Sequence, residues 1–134
     1  MGAISARDPK DVVFITDAVA EPTPGKTYDY GKNRVMVVTE NAECCQLVGT
    51  TTIAGSCTNL NATLKILVQK LRVPLVDAVG MVSANPARVT RIDNEVGMLK
   101  AGLKADLVLM EKDLNIQKTI VCGNVEYECV TEPK

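Results

Sequence analysis

Asp17 closes the short apolar run Val12-Val13-Phe14-Ile15-Thr16 and so places a carboxylate at the end of a candidate strand. A carboxylate there can act as general base and then general acid, provided a reacting group lies within hydrogen-bond reach. An aspartate after a strand is more often a turn former or a helix cap, so position alone leaves both readings open. A second segment of note is Thr52-Ile53-Ala54-Gly55-Ser56, whose glycine frees the backbone. Its ordinary reading is a glycine-containing loop that enters a helix. The adjacent pair Cys44-Cys45 could be a thiol switch, although two residues of one strand pointing to opposite faces explain it as well.

Other chemistries are excluded by what is missing. The chain has no histidine. A complete zinc hydrolase built on imidazole ligands cannot be made from it alone, nor can a Ser-His-Asp or Cys-His nucleophile site. The cysteines, at 44, 45, 57, 122 and 129, contain no Cys-x-x-Cys spacing that would suggest a thiolate zinc site. Their odd count and irregular spacing fit reduced thiols in a cytoplasmic protein. With no Trp, one Phe and three Tyr, an aromatic platform for single-stranded nucleic acid is not expected. A net charge of −1 gives no electrostatic reason for DNA or an anionic membrane as partner. No run reaches the roughly 18 apolar residues of a membrane span, and Met1 to Lys10 lacks an apolar signal core.

The elements that must position these residues follow from the hydropathy pattern. At 134 residues and 46% hydrophobic content, the chain suits one domain or part of one. The continuous apolar run Val12–Thr16 fits a strand buried on both faces, as in a parallel sheet. Tyr28–Tyr30, Arg34–Thr39 and Glu43–Leu47 read as short antiparallel strands, with turns at Gly31–Asn33 and Glu40–Ala42. Leu60, Leu64, Leu67 and Leu71 recur on one helical face, with Thr58 as the predicted N-cap. Pro74 separates this helix from a second one, predicted to bury Leu75, Val79 and Val82 despite Gly80 in its interior. Asn85-Pro86-Ala87-Arg88 starts a further short helix with Pro86 near its first position. Asp106–Glu111, Ile116–Cys122 and Val125–Glu128 are β-rich, joined by Lys112–Asn115 and by a predicted two-residue turn at Gly123-Asn124. This order is not a complete fold, because the strand Val12–Thr16 has no parallel neighbour in the chain.

The motifs resemble the C-terminal part of the N-acetylglucosamine-6-phosphate deacetylase family, within the amidohydrolase superfamily. They are Ile15-Thr16-Asp17-Ala18, Thr52-Ile53-Ala54-Gly55-Ser56, Ser83-Ala84-Asn85-Pro86-Ala87-Arg88, Gly97 through Leu107, and Lys118 through Asn124. They run in order over roughly residues 12 to 127. The tail around Gly102 and Ala105-Asp106-Leu107 identifies only the superfamily. The pairing of Thr-Asp-Ala with Ile-Ala-Gly-Ser points to the deacetylase branch. Thr50 to Thr52, Cys57 and Thr90-Arg91 depart from the family pattern and suggest a divergent copy.

The resemblance implies an α/β fold: the last strand and helices of a metal-dependent hydrolase (β/α)8 TIM barrel, plus strands of a small β-sandwich. Residues 1–93 would belong to the barrel and 94–134 to the sandwich. A full barrel needs about 200–250 residues, so the chain would hold about the last third of an enzyme. By the same resemblance, Asp17 is the catalytic general acid and base in hydrolysis of the acetamide of an amino-sugar phosphate. Ile53, Ala54 and Gly55 match the loop that contacts the sugar, and Gly55 would let the backbone approach it closely. The implied cofactor is a divalent metal ion, zinc by expectation, and none of its ligands is in this chain. The implied assembly is a homodimer. Asn85-Pro86-Ala87-Arg88 and Lys104-Ala105-Asp106 read as structural. Two other readings remain: an amidohydrolase acting on cyclic amides, and a non-catalytic fragment or interaction module.

Overall fold

The computed structural model describes residues 6–130. The outermost residues of both expected segments, 1–5 and 131–134, lie outside the described residues, as does the first half of the stretch read as lacking a signal core. The chain forms two compact units. One is Ile15–Thr63, and the other combines the residues up to Phe14 with those from Leu64 onward.

The Ile15–Thr63 unit is an antiparallel meander of β1 (Thr27–Gly31), β2 (Arg34–Val38), β3 (Cys44–Leu47) and β4 (Ile53–Ser56), in that spatial order. β1 and β2 are joined by Lys32 and Asn33, at φ 53° and 58°. Two successive left-handed residues match the twist of a two-residue hairpin. β2 alternates as a half-buried strand should, with Met36 and Val38 buried and Val35 exposed. Met36 and Val38 pack with Cys45 and Cys57, and Tyr28, Leu47 and Ala54 close the cluster. The first three strands match expectation. β4 was expected as a loop, but it pairs with β3 in the register Cys44 to Ser56 and Cys45 to Gly55.

The other unit opens on a single turn, Pro9–Asp11, whose cap Asp8 accepts a hydrogen bond from the Lys10 amide at 2.9 Å. Val12 follows in extended conformation, and the Phe14 amide donates to the Met81 carbonyl at 3.0 Å. The expected strand Val12–Thr16 joins no ladder among the described residues. A strand exists only by pairing, and the backbone of this segment is instead held by single bonds such as that from the Phe14 amide to the Met81 carbonyl.

Helix α1 (Leu60–Lys65) begins at Asn59, whose Oδ1 accepts from the Ala62 amide at 2.8 Å. Asn59 is therefore the cap, one residue later than the predicted Thr58. Ile66–Lys70 continues with wider π-type turns, and the Leu71 amide reaches back five residues to the Ile66 carbonyl at 3.0 Å. Leu64 and Leu67 are buried on the predicted face, packed with Ala78 and Leu114, while Leu60 is exposed.

Helix α2 (Leu75–Val82) does form, but its buried residues are Ala78 and Met81. Leu75 and Val79 are exposed, and only Val82 of the predicted face packs against the core. Ala78 is fully buried and clusters with Leu64, Leu67 and Leu114. Helix α3 (Ala84–Val89) starts after Ser83, which puts Pro86 third rather than first. Proline is tolerated there because first-turn amides have no intrahelical partner.

The tail is a second antiparallel sheet of β5 (Leu107–Met110), β6 (Ile116–Val121) and β7 (Asn124–Glu128). Its last turn is Cys122-Gly123, at φ 50° and 85°, one residue earlier than predicted. Asp106 selects this turn, since its Oδ1 accepts from the Cys122 amide at 2.7 Å. Among the described residues, no helix is long and apolar enough to cross a membrane.

Candidate functional site

Asp17, Gly55 and Ser56 are brought together along the free edge of β4. Ala18 and Ser56 form a parallel bridge, so the chain after Asp17 runs beside β4 on the side away from β3. Ser56 makes the join. Its amide donates to the Asp17 carbonyl at 2.9 Å, its carbonyl accepts from the Val19 amide at 2.9 Å, and its hydroxyl donates to the Thr16 carbonyl at 2.5 Å. Thr16 contributes as well, because its Oγ1 accepts from the Ala18 amide at 3.3 Å.

Asp17 itself sits at φ 50°, in the left-handed region. Aspartate tolerates this conformation better than most residues do. By backbone Asp17 is a turn residue, as its ordinary reading expects, and its side chain is exposed to solvent. Asp17 is exposed, and among the described residues no cation pairs with it.

Gly55 is required by space. A Cβ there would stand 2.6 and 2.7 Å from the Val19 methyls and 3.0 Å from the Asp17 carbonyl oxygen. No carbon tolerates the first two distances, so the close approach expected at Gly55 is made to the chain itself at Asp17–Val19. Ile53 is 66% exposed and available to a ligand. Ala54 is half-buried against the Met36–Val38 cluster.

Immediately after β4 lies a buried thiol pair. Cys45 and Cys57 place their sulfurs 3.4 Å apart. Burial first, and then the neighbouring Cys45, push the Cys57 thiol up to about 11.

The expected metal can be tested against the donor set. With no histidine in the sequence, and no group of three Cys, Asp or Glu side chains converging among the described residues, the residues present do not make a metal site.

Sequence reasoning missed Ser56 as a positioning residue. Its partners lie about forty positions away, and no local spacing signals them. Asn85 was read as structural, and its contacts agree. It is buried, and its Nδ2 donates to the carbonyls of Pro9 at 2.9 Å and Val12 at 2.7 Å. Arg88 donates to the Lys10 carbonyl. Lys104 pairs with Glu95 at 2.5 Å, both half-exposed.

Comparison with known proteins places these features in context. The sequence profile of the amidohydrolase family matches residues 22–125. The N-acetylglucosamine-6-phosphate deacetylase of Vibrio furnissii is 29% identical over 124 residues, which are 92% of this chain and 30% of the relative. The crystal structure of the Thermotoga maritima deacetylase superposes with a TM-score of 0.82 at 24% identity, covering 94% of this chain and 34% of that one. A Mycobacterium smegmatis deacetylase, solved in complex with N-acetyl-D-glucosamine-6-phosphate, gives a TM-score of 0.78 at 26% identity, covering 92% and 32%. This chain therefore spans about a third of the length of the proteins it matches.

Proposed function

The chain belongs to the amidohydrolase family, and from that premise we propose that it is the C-terminal part of an N-acetylglucosamine-6-phosphate deacetylase. Its reaction is hydrolysis of the substrate acetamide to glucosamine 6-phosphate and acetate, in the cytoplasm, by a homodimer. In this reading residues 1–93 complete a (β/α)8 barrel and 94–134 contribute strands to a β-sandwich. The active enzyme uses a divalent metal ion whose ligands come from outside these residues.

One observation carries the proposal. The two segments that resemble the deacetylase branch, around Asp17 and Ile53–Gly55, are joined backbone to backbone through Ser56. In barrel enzymes the reacting groups stand at the C-terminal ends of strands, and in this reading Val12–Thr16 becomes such a strand only within the completed barrel, with Asp17 at its end. Its carboxylate takes a proton from the attacking water and delivers it to the departing amine. Ile53, Ala54 and Gly55 form the wall that meets the sugar.

The test is acetate release from N-acetylglucosamine 6-phosphate. With the remaining barrel supplied, Asp17→Asn is expected to lower turnover by roughly 10²–10⁴-fold, the usual range for a lost acid–base group, with substrate binding largely kept. Near-normal turnover in that variant would remove Asp17 from the mechanism. The isolated 134-residue chain is expected to be inactive, because it has no histidine and its described residues bring no donor set together for the metal.

A further inference from the structure

We propose that Cys45 and Cys57 are a latent disulfide, closed by a small disulfide oxidant such as oxidised glutathione, that fastens β3 to the exit of β4. This inference rests on the thiol geometry alone and does not depend on the proposed activity.

The pairing of β3 with β4 sets the geometry. Cys45 lies opposite Gly55, and Cys57 stands two residues beyond Gly55 on the same side of the pleat. The two side chains therefore meet diagonally, with 3.4 Å between sulfurs. A disulfide needs about 2.05 Å, so the sulfurs, now in contact at 3.4 Å, must close by somewhat more than 1 Å. Both thiols lie in the apolar cluster with Met36 and Val38, and among the described residues no third Cys, Asp or Glu converges on them to make a metal site. The other cysteines are placed differently. Cys44 turns toward the Thr39 hydroxyl at 3.8 Å, and Cys122 is exposed in the β6–β7 turn.

A buried cysteine pair can also be simple core filler, since a free thiol packs as a small apolar group. The two readings differ in what an oxidant does. In the proposed step the Cys57 thiolate attacks one sulfur of the small disulfide, forming a mixed disulfide and releasing one thiolate. Cys45 then gives up its proton and attacks the Cys57 sulfur, forming the protein disulfide and releasing the second thiolate. Two protein thiols are oxidised and one small disulfide is reduced to two thiols. Cys57 is the point of entry because it keeps 5% exposure while Cys45 has none. The titratable groups acting on Cys57 are Cys44 and Cys45 on β3, and the Tyr28 side chain on β1 packs against the same cluster. Its raised pKa keeps the thiolate scarce at neutral pH, so the rate should rise about tenfold per pH unit from pH 7 to 9.

The experiment treats the folded 134-residue chain with oxidised glutathione, blocks remaining thiols with N-ethylmaleimide and maps chymotryptic peptides. The expected product has lost two hydrogens, keeps three of its five cysteines alkylated and joins the peptides on either side of Leu47. Cys44→Ser should form the same bond, and its fragment masses then assign the bond to Cys45. Cys57→Ala should not form it. If Cys57→Ala does not fold, the wild-type and Cys44→Ser maps still decide. Stable glutathionylation without ring closure, a bond through Cys44, Cys122 or Cys129, or thiols that stay reduced in folded chain through pH 9 would each overturn the proposal.

Discussion

Gly55 and Asp17 meet backbone to backbone: a Cβ on Gly55 would stand 3.0 Å from the Asp17 carbonyl oxygen and closer still to Val19. Gly55→Ala must therefore push the Asp17–Val19 segment off β4. Overpacking of this kind costs about 1–3 kcal/mol, readable as a lower denaturation midpoint. Adding Val19→Ala removes the two shortest contacts and should recover part of the loss. A Gly55→Ala chain as stable as the parent would mean that the Asp17 segment is not held against β4.

Asn85 is the tie between α3 and the segment leading to Phe14. Asn85→Ala removes the side-chain donor from both carbonyls: that of Pro9 keeps the Val12 amide at 3.3 Å, and that of Val12 loses its donor. An orphaned polar group costs about 1–3 kcal/mol. The loss should be local first, so trypsin should cut at exposed Lys10 faster in the variant, before the rest of the chain is digested. Equal cleavage rates would argue against the tie.

Gly80 gives a prediction of opposite sign. It lies inside α2, and a Cβ there would meet nothing within 4 Å. Gly80→Ala should stabilise the chain by about 0.5–1 kcal/mol, through helix propensity and a less disordered unfolded chain. Thermal denaturation of the two proteins decides this. A destabilised variant would show that the space beside Gly80 is filled.

Cys57 predicts a pH dependence. Its thiol ionises ordinarily near 9.0 and in the fold at about 11. The unfolded chain thus releases this proton first as pH rises. Below pH 9 both states hold it and stability is unaffected, and between pH 9 and 11 stability falls. Cys57→Ala should flatten that part of a midpoint-against-pH curve. An unchanged slope would assign the alkaline loss to other groups.

Much of the local structure was legible because it is encoded locally. β1, β2, β3 and the tail strands follow from alternation and turn residues, and the Leu64 and Leu67 face from helical spacing. The misses occur where a distant partner decides. Val79 has the right spacing for a core face, yet Ala78 is the residue that packs with Leu64, Leu67 and distant Leu114. Gly123-Asn124 is a sound hairpin turn in isolation, yet Asp106 captures the Cys122 amide and moves the turn by one residue. The Ile53–Gly55 segment looked like a loop because glycine weakens strand propensity, and pairing with β3 overrode that.

The sequence by itself determined which residues could do chemistry. It also excluded imidazole chemistry, since a chain without histidine cannot supply it, and its motifs already pointed to the family. Only the tertiary structure decided that Asp17 and Gly55 are neighbours. Their contact runs through backbone groups of Ser56, which carry no side-chain signature and find their partners only when β4 and the segment after Phe14 lie edge to edge.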